Sequence, residues 1–351
     1  MADRLRVAVL FGGRSGEHEI SLASAANVMA ALESAGCDVA PIGIDRAGRW
    51  LPSSEAHKLL SDGGQFDGLP AGQALARVAE KAPVDVVFPV VHGPYGEDGS
   101  LQGLLEMAGL PYVGCGVLAS ALAMDKVMCK RVFREQGLPI MDYAWFRAPD
   151  WSPAKHEEVE QVCGYPCFVK PANLGSSVGV SKAHDSAELD AAVAKAAAYD
   201  AKIVVERAVP KAREIECGVL GNEAPEASVP GEIVPSREFY DYAAKYLDGT
   251  SELLIPAPLP AELAARVKGQ ACKAFQALDC SGMARVDFLV DGASGELFLN
   301  ELNTIPGFTA ISMYPKLWEA SGLPVQRLVE RLIELARERH TARARLSTAS
   351  E

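Results

Sequence analysis

The run Arg285-Val-Asp287-Phe-Leu-Val-Asp-Gly-Ala-Ser-Gly-Glu-Leu-Phe-Leu-Asn-Glu301-Leu-Asn303 constrains this chain more than any other segment. Two short apolar stretches flank the turn-rich segment Asp291 to Gly295, so the run reads as a β-hairpin. With Val290 opposite Glu296, the register sets Arg285 opposite Glu301. Side chains alternate along a strand, and opposed residues share a face. Arg285, Asp287, Glu301 and Asn303 then crowd one face, while Val286, Phe288, Phe298 and Leu302 take the other. A cation, two carboxylates and an amide are costly on a buried face unless paired or metal-bound. Oxygen donors of this kind suit Mg²⁺ held jointly with substrate phosphates. A salt-bridged hairpin is the plain alternative.

The rest of the chain reads as an ordinary globular protein. Its 351 residues, 49% hydrophobic and 23% charged, allow two or three domains. A net charge of −12 disfavours a nucleic-acid role, which needs a basic surface. No apolar run approaches the roughly 20 residues of a membrane span. The N-terminus enters a strand directly, without a signal-peptide core. The eight cysteines are scattered and form no CxxC pair, which suits reduced thiols in a cytoplasmic protein.

Strands and helices alternate at the start. Leu5 to Phe11 is a buried strand, Ser21 to Glu33 a helix, Val39 to Ile44 a strand and Val84 to Val91 another, with a helix from Ser100. This is the pattern of a parallel α/β domain. A helix from Ala121 to Gln136 ends at Gly137 and Pro139. The first boundary falls just inside its start, giving units at 1–122, 123–214 and 215–351. In the middle unit, a helix over Pro153 to Val162 precedes strands at Cys167 to Lys170, Val180 to Lys182 and Lys202 to Glu206. Asp185 and Glu188 have capping-box spacing for a helix to Ala198. A strand over Glu214 to Leu220, a helix over Ala261 to Leu278 and another over Val325 to Arg339 complete the pattern. The tail after His340 is polar and expected to fray.

Several loops carry chemistry. Gly12 to Glu19 lacks G-x-G-x-x-G spacing, which weighs against a dinucleotide site. Glu17, Glu19 and His18 before a helix suit a substrate ammonium, or simple capping and ion pairing. His92, Glu97 and Asp98 lie in a glycine-rich loop where a parallel strand ends, the usual ligand edge of an open α/β sheet. Lys170 closes a strand ahead of Gly175-Ser176-Ser177-Val-Gly179. Small residues let backbone N–H groups approach phosphate, and the lysine adds a point charge. Beside a Mg²⁺ hairpin, this loop points to a nucleoside triphosphate. Glu206 and Glu214, at a strand-to-strand junction, could accept hydrogen bonds from adenine or ribose. The aromatic segment Glu238 to Tyr246 suits a water-excluding lid. Backbone N–H groups between Asn303 and Ser312 could stabilise an oxyanion.

Taken in order, FGGRSGEHEISL from Phe11, VVHGPYGEDGSLQG from Val90, MDK from Met124, FVKPANLGSSVGV from Phe168, YDYAAKYLDG from Tyr240, ARVDFLV and LNELNTIPGFT closely resemble the D-alanine–D-alanine ligase family of the ATP-grasp superfamily. The resemblance spans nearly the whole chain. It implies an α/β, three-domain ATP-grasp fold with an N-terminal parallel sheet and ATP between the central and C-terminal domains. It carries Lys126, Lys170, Ser177 and Lys245 to ATP, Glu206 to adenine and Glu214 to ribose. Asp287, Glu301 and Asn303 are carried to two Mg²⁺ ions, for which Mn²⁺ substitutes. Glu17 and Ser176 are carried to the first D-alanine, with His92 beside them and Tyr246 joining from the lid. Ser312 is carried to the second D-alanine, and Arg285 with the Gly307 N–H to the tetrahedral intermediate. The implied partners are D-alanine, ATP and a second copy of the chain in a homodimer through the N-terminal domain. Pro94-Tyr95 departs locally from the family pattern.

Rival readings differ by assay. A D-alanine–D-lactate ligase would replace the Lys245-Tyr246 region. Another ATP-grasp ligase would take a different substrate, and a regulator would bind nucleotide without turnover. A dehydrogenase would bind a nicotinamide cofactor and ignore ATP.

Overall fold

The computed structural model describes residues 4–51, 53–62, 68–74, 83–234 and 252–347. Three sheets follow one another along the chain. The first has the order β3-β2-β1-β4 and is built from β1 (Arg6–Gly12), β2 (Asp38–Ile44), β3 (Trp50–Leu51) and β4 (Val86–Pro89). β1 pairs in parallel with both β2 and β4. Its run of buried residues is what a parallel strand covered on both faces requires. At its end Gly12 has φ +89°, and a Cβ there would lie 2.1 Å from the Ile44 carbonyl oxygen. Only glycine lets β1 close against β2 at that point.

Helices α1 (His18–Ser34), α2 (Ser53–Asp62) and α3 (Ser100–Met107) belong to this part. The single helix expected from Ala121 to Gln136 is two, α4 (Val117–Met124) and α5 (Lys126–Glu135). Asp125 separates them with extended backbone, and its carboxylate accepts from the Val127 and Met128 N–H groups. That cap sets Lys126 at the first turn of α5, facing the next sheet.

The second sheet, in the order β5-β8-β6-β7, is antiparallel and comprises β5 (Tyr143–Arg147), β6 (Cys167–Pro171), β7 (Ser181–Ala183) and β8 (Lys202–Arg207). Helices α6 (Pro153–Cys163) and α7 (Ser186–Ala197) pack on it. Asp185 caps α7 as expected, but Glu188 reaches back to the His184 N–H instead of closing a capping box.

The third sheet runs β12-β11-β9-β13-β14, with β10 beside β9. Its strands are β9 (Arg213–Gly221), β10 (Glu226–Ala227), β11 (Gly231–Val234), β12 (Glu252–Leu254), β13 (Gly282–Val290) and β14 (Leu297–Asn303), followed by α9 (Met313–Ala320) and α10 (Val325–Ala344); α8 (Ala261–Ala277) packs against it. The β13–β14 hairpin corrects the expected register. Asp291, not Val290, faces Glu296, because the Asp291 N–H bonds the Glu296 carbonyl. Val290 therefore pairs with Leu297, and Phe298 joins Leu289 on the polar-site face, not the core face. A bulge then admits Asn300 as an extra residue, and Asp287 pairs with Glu301 and Arg285 with Asn303. One slip at the turn and one at the bulge add to two. Since side chains repeat every two residues, the four polar groups still share a face.

The units are not separate cores. Val7, Val9, Phe11 and Phe88 of the first sheet pack in one cluster with Phe308, Tyr314, Leu328 and Leu332 from the end of the chain. Helix α10 runs past His340 to Ala344 where fraying was expected. Arg339 stops it fraying by bonding the Gly114 and Tyr112 carbonyls and the Ser281 hydroxyl, and Arg343 pairs with Glu106.

Candidate active site

The polar face of the third sheet is the floor of the site. Opposed residues share a face, so Glu214 and Glu216 of β9 join Leu289, Asp287 and Arg285 of β13, with Phe298, Glu301 and Asn303 beyond. Arg285 donates to both oxygens of Asp287 at 2.7 Å and pairs with Glu216 at 3.0 Å. The Asn303 amide donates to Asp287 at 2.9 Å. The sequence reading missed Glu216. Its signal was available, because it lies two residues from Glu214 on the same strand face.

Above this floor is a cavity of about 410 Å³. Glu17, His92 and Ser176 line it together with Arg285, Glu301, Asn303, Gly307 and Ser312. Four stretches of chain, around Glu17, His92, Ser176 and Arg285 to Ser312, therefore meet there. Glu17 sits just before α1, and its Oε1 accepts from the Ser176 hydroxyl. Ser176 and Ser177 both have left-handed backbone, φ 50° and 57°, a strain of about 1–3 kcal/mol each that persists only where surrounding contacts hold it. Gly93 leaves room for Glu17: a Cβ there would meet Oε2 at 2.6 Å.

His92 lines the cavity, but the protein uses both of its ring nitrogens. The Ile305 carbonyl can only accept, so Nδ1 carries the proton and donates to it at 3.0 Å. Nε2 then accepts from Ser24 Oγ at 3.0 Å. Burial lowers the His92 pKa, and the ring stays neutral. His92 thus positions the 303–312 loop, with both ring nitrogens bonded to protein, while lining the cavity beside Glu17 and Ser176. Ser24 also accepts from the Phe308 N–H, and the Asn27 amide donates to the Phe308 carbonyl at 3.0 Å. These contacts from the first domain hold the segment that carries Gly307. Ser24 and Asn27 looked like ordinary polar positions on a helix, and no sequence signal separated them.

Glu97 completes the clamp. Its oxygens accept from the Gly93 N–H at 2.7 Å and the Ile305 N–H at 3.0 Å. Burial first, and then the charge of Glu17, push its pKa up from 4.5 to about 8. Between these values the folded protein keeps a proton that the unfolded chain releases. Stability therefore falls as pH rises through that window. Glu97→Gln is expected to flatten that slope while losing one acceptor. Urea midpoints at about pH 6 and about pH 8 measure it, and an equally steep slope in the variant would assign the pH dependence elsewhere.

The second sheet meets the floor through lysines. Lys126 Nζ donates to the Leu174 carbonyl at 2.6 Å and lies 3.8 Å from Glu301. These contacts hold its side chain against the third sheet and largely out of solvent. Lys170 Nζ bonds Glu206 Oε2 at 2.8 Å. Lys130, which the sequence reading did not single out, lies 3.1 Å from Glu206 Oε1 and is buried. Oε1 has no well-directed hydrogen bond, so Lys130 acts as an ion-pair partner. Burial alone would raise the Glu206 pKa. The two ammonium groups outweigh it and hold the carboxyl at about 2. Lys130 also approaches the Asn300 carbonyl at 3.4 Å, so the bulge turns a backbone acceptor toward this cluster.

Ser312 precedes α9, and its hydroxyl accepts from the Thr309 N–H at 3.0 Å. Glu214 lies on the floor face of β9, and Ser177 follows Ser176 in the loop after β6. Lys245 and Tyr246, with the rest of the expected lid, lie outside the described residues. Among the described residues no three His, Cys, Asp or Glu side chains form a metal cluster. The expected set is two carboxylates and an amide. Asp287 and Glu301 are directly opposed with Asn303 beside them, an all-oxygen set of the kind Mg²⁺ takes.

An N-terminal sheet of three parallel strands with an antiparallel edge strand, followed by two antiparallel sheets that meet at such a site, is the ATP-grasp architecture. The family model for the D-ala D-ala ligase N-terminus matches residues 6–115, and that for the C-terminus matches residues 132–334. A D-alanine–D-alanine ligase from a Thermoanaerobacter species is 52% identical over 98% of this chain and 99% of its own length. The Deinococcus radiodurans enzyme of that name is 50% identical over 95% of this chain and 98% of its own. The solved Coxiella burnetii D-alanine–D-alanine ligase superposes with a TM-score of 0.81 at 38% identity, covering 97% of both chains. A D-Ala:D-Ser ligase from Enterococcus faecalis gives 0.81 at 35% identity, over 95% of this chain and 100% of its own. The chain belongs to the D-alanine–D-alanine ligase family.

Proposed function

We propose that this protein joins two D-alanine molecules into D-alanyl-D-alanine at the expense of ATP, for peptidoglycan precursor synthesis. The observation that carries the reading is the meeting of Glu17 and Ser176 with Arg285, Glu301, Asn303 and Gly307 around one cavity, with Lys126 beside Glu301. A carboxylate is a poor acyl donor because its oxygen leaves badly. Transfer of the ATP γ-phosphoryl group to the first D-alanine gives D-alanyl phosphate and ADP. The neutral amine of the second D-alanine then attacks the acyl carbon, and phosphate leaves with the C–O electron pair.

Each group has a task in this reading. Glu17, oriented by Ser176, holds the first ammonium, and Tyr246 joins them from the lid. Lys126, Lys170, Ser177 and Lys245 hold the triphosphate. Glu206 keeps Lys130 as counter-ion and offers a lone pair to adenine, and Glu214 binds ribose. Asp287, Glu301 and Asn303 would hold two Mg²⁺ ions, or Mn²⁺, which neutralise phosphate charge as it shifts. Arg285 and the Gly307 N–H face the oxyanion, and Ser312 binds the second D-alanine. The reading divides the chain at 1–122, 123–214 and 215–351, limits that fall inside α4 (Val117–Met124) and β9 (Arg213–Gly221). No described helix is long and apolar enough to cross a membrane, and a cytoplasmic homodimer is part of the reading. Exposed Met107, Val117 and Leu118 offer apolar surface for such a dimer.

Phosphate release and product mass, measured with ATP and D-alanine, test the proposal. The expected result is dipeptide and ADP with D-alanine, and no ligation with L-alanine or D-lactate. D-Serine as the preferred acceptor would move the assignment to the neighbouring D-Ala:D-Ser class.

A further inference from the structure

We infer that Lys316 is a substrate-binding residue that pairs with the carboxylate of the acceptor amino acid. The inference rests on the ligase reading above. Three carboxylates line the cavity, Glu17, Glu216 and Glu301, with the protonated Glu97 beside them, against two cations, Arg285 and Lys316. Arg285 is committed to Asp287 and Glu216. His92 is neutral, with both nitrogens bonded to protein. Lys316 forms no ion pair or hydrogen bond among the described residues, yet it lines the cavity and is half-buried. It lies four residues after Ser312, so the two side chains share one face of the chain as it enters α9.

The chemistry of the second step needs such a cation. The attacking amine must be unprotonated, so the reactive acceptor carries a net negative charge, all of it on its carboxylate. Bringing that anion beside Glu17, Glu216 and Glu301 is unfavourable unless a positive group faces it. The first amino acid differs, since its carboxylate becomes the acyl phosphate at the Arg285 end. Lys316 lies instead with Ser312, Thr309 and Met313, on the wall that the acceptor occupies. It therefore selects an acceptor with a free carboxylate and leaves the side-chain choice to other groups.

A competition assay on the full-length enzyme tests this directly. ATP, D-alanine and D-alaninamide are supplied together, and mass spectrometry reads the ratio of D-alanyl-D-alanine to its C-terminal amide. The ratio does not depend on ATP binding, on acyl phosphate formation or on the fraction of active enzyme. The different basicity of the two amines cancels between variants. Lys316→Met is expected to lower the ratio about tenfold, the loss of one charge-assisted contact. Lys316→Gln, neutral but polar, should give the same shift, and Lys316→Arg should keep most of the preference. An unchanged ratio in both neutral variants would overturn the assignment, as would a raised ATP KM without a change in ratio. Failure of the wild type to form any dipeptide would instead sink the ligase reading itself.

Discussion

Replacing Arg285 with methionine is expected to lower turnover about a hundred- to a thousandfold, a loss of about 3–4 kcal/mol in the barrier. Arg285 lies on the floor of the cavity, held by Asp287 at 2.7 Å and Glu216 at 3.0 Å. Two carboxylates aim one guanidinium, so the donor is oriented before the oxyanion forms and little reorganisation is needed. Lysine would keep the charge but lose the two-pronged geometry, and Arg285→Lys should recover only part of the rate. Steady-state phosphate release gives kcat, and the ATP KM shows that nucleotide still binds. The substitution leaves Asp287 and Glu216 short of a cation, so thermal unfolding must accompany the kinetics. A folded Arg285→Met protein with turnover close to wild type would remove Arg285 from the oxyanion role.

Glu206→Gln is expected to destabilise the fold by about 3–5 kcal/mol and to weaken ATP binding, because it strips a shared counter-ion from the buried Lys130 and the half-buried Lys170. Glu206 and Lys130 are 2% and 1% exposed, and Lys170 competes for the same carboxylate. Without that charge, Lys130 keeps only the distant Asn300 carbonyl. The pH dependence follows from the depressed pKa. The folded carboxyl titrates at about 2 against 4.5 in the free side chain. Its contribution is whole above about 4.5 and disappears as pH falls toward 2. Urea unfolding at neutral pH measures the loss, and an acid series shows whether the wild type approaches the variant as the carboxyl protonates. A neutral-pH difference below about 1 kcal/mol would mean that solvent, not Glu206, compensates the lysines.

How far the sequence led is clearest at the hairpin. Alternation placed Arg285, Asp287, Glu301 and Asn303 on one face, and they do share it. The registry that led there was wrong at the turn and again at Asn300. The two errors cancelled because the side-chain repeat is two residues. Phe298 was not protected by that cancellation and moved to the site face. Local capping rules located α7, yet joined α4 and α5 into one helix, because Asp125 reads the same in a helix interior as at a cap. His92 shows a different gap. Its position at a strand end was legible, but its role depends on Ser24 and Ile305, 68 and 213 residues away.

The amino-acid sequence by itself determined the family, the three-part α/β organisation and the polar strand faces, since local patterns and motif order suffice for these. Tertiary structure decided which charges meet. It put Lys130 against Glu206, Glu216 against Arg285 and the first domain's side chains against the loop that bears Gly307. The physical reason is that charge pairing and burial depend on distance in space. Neither the spacing nor the identity of residues far apart along the chain says which buried charge will find a partner, or which cation, like Lys316, is left facing the cavity without one among the described residues.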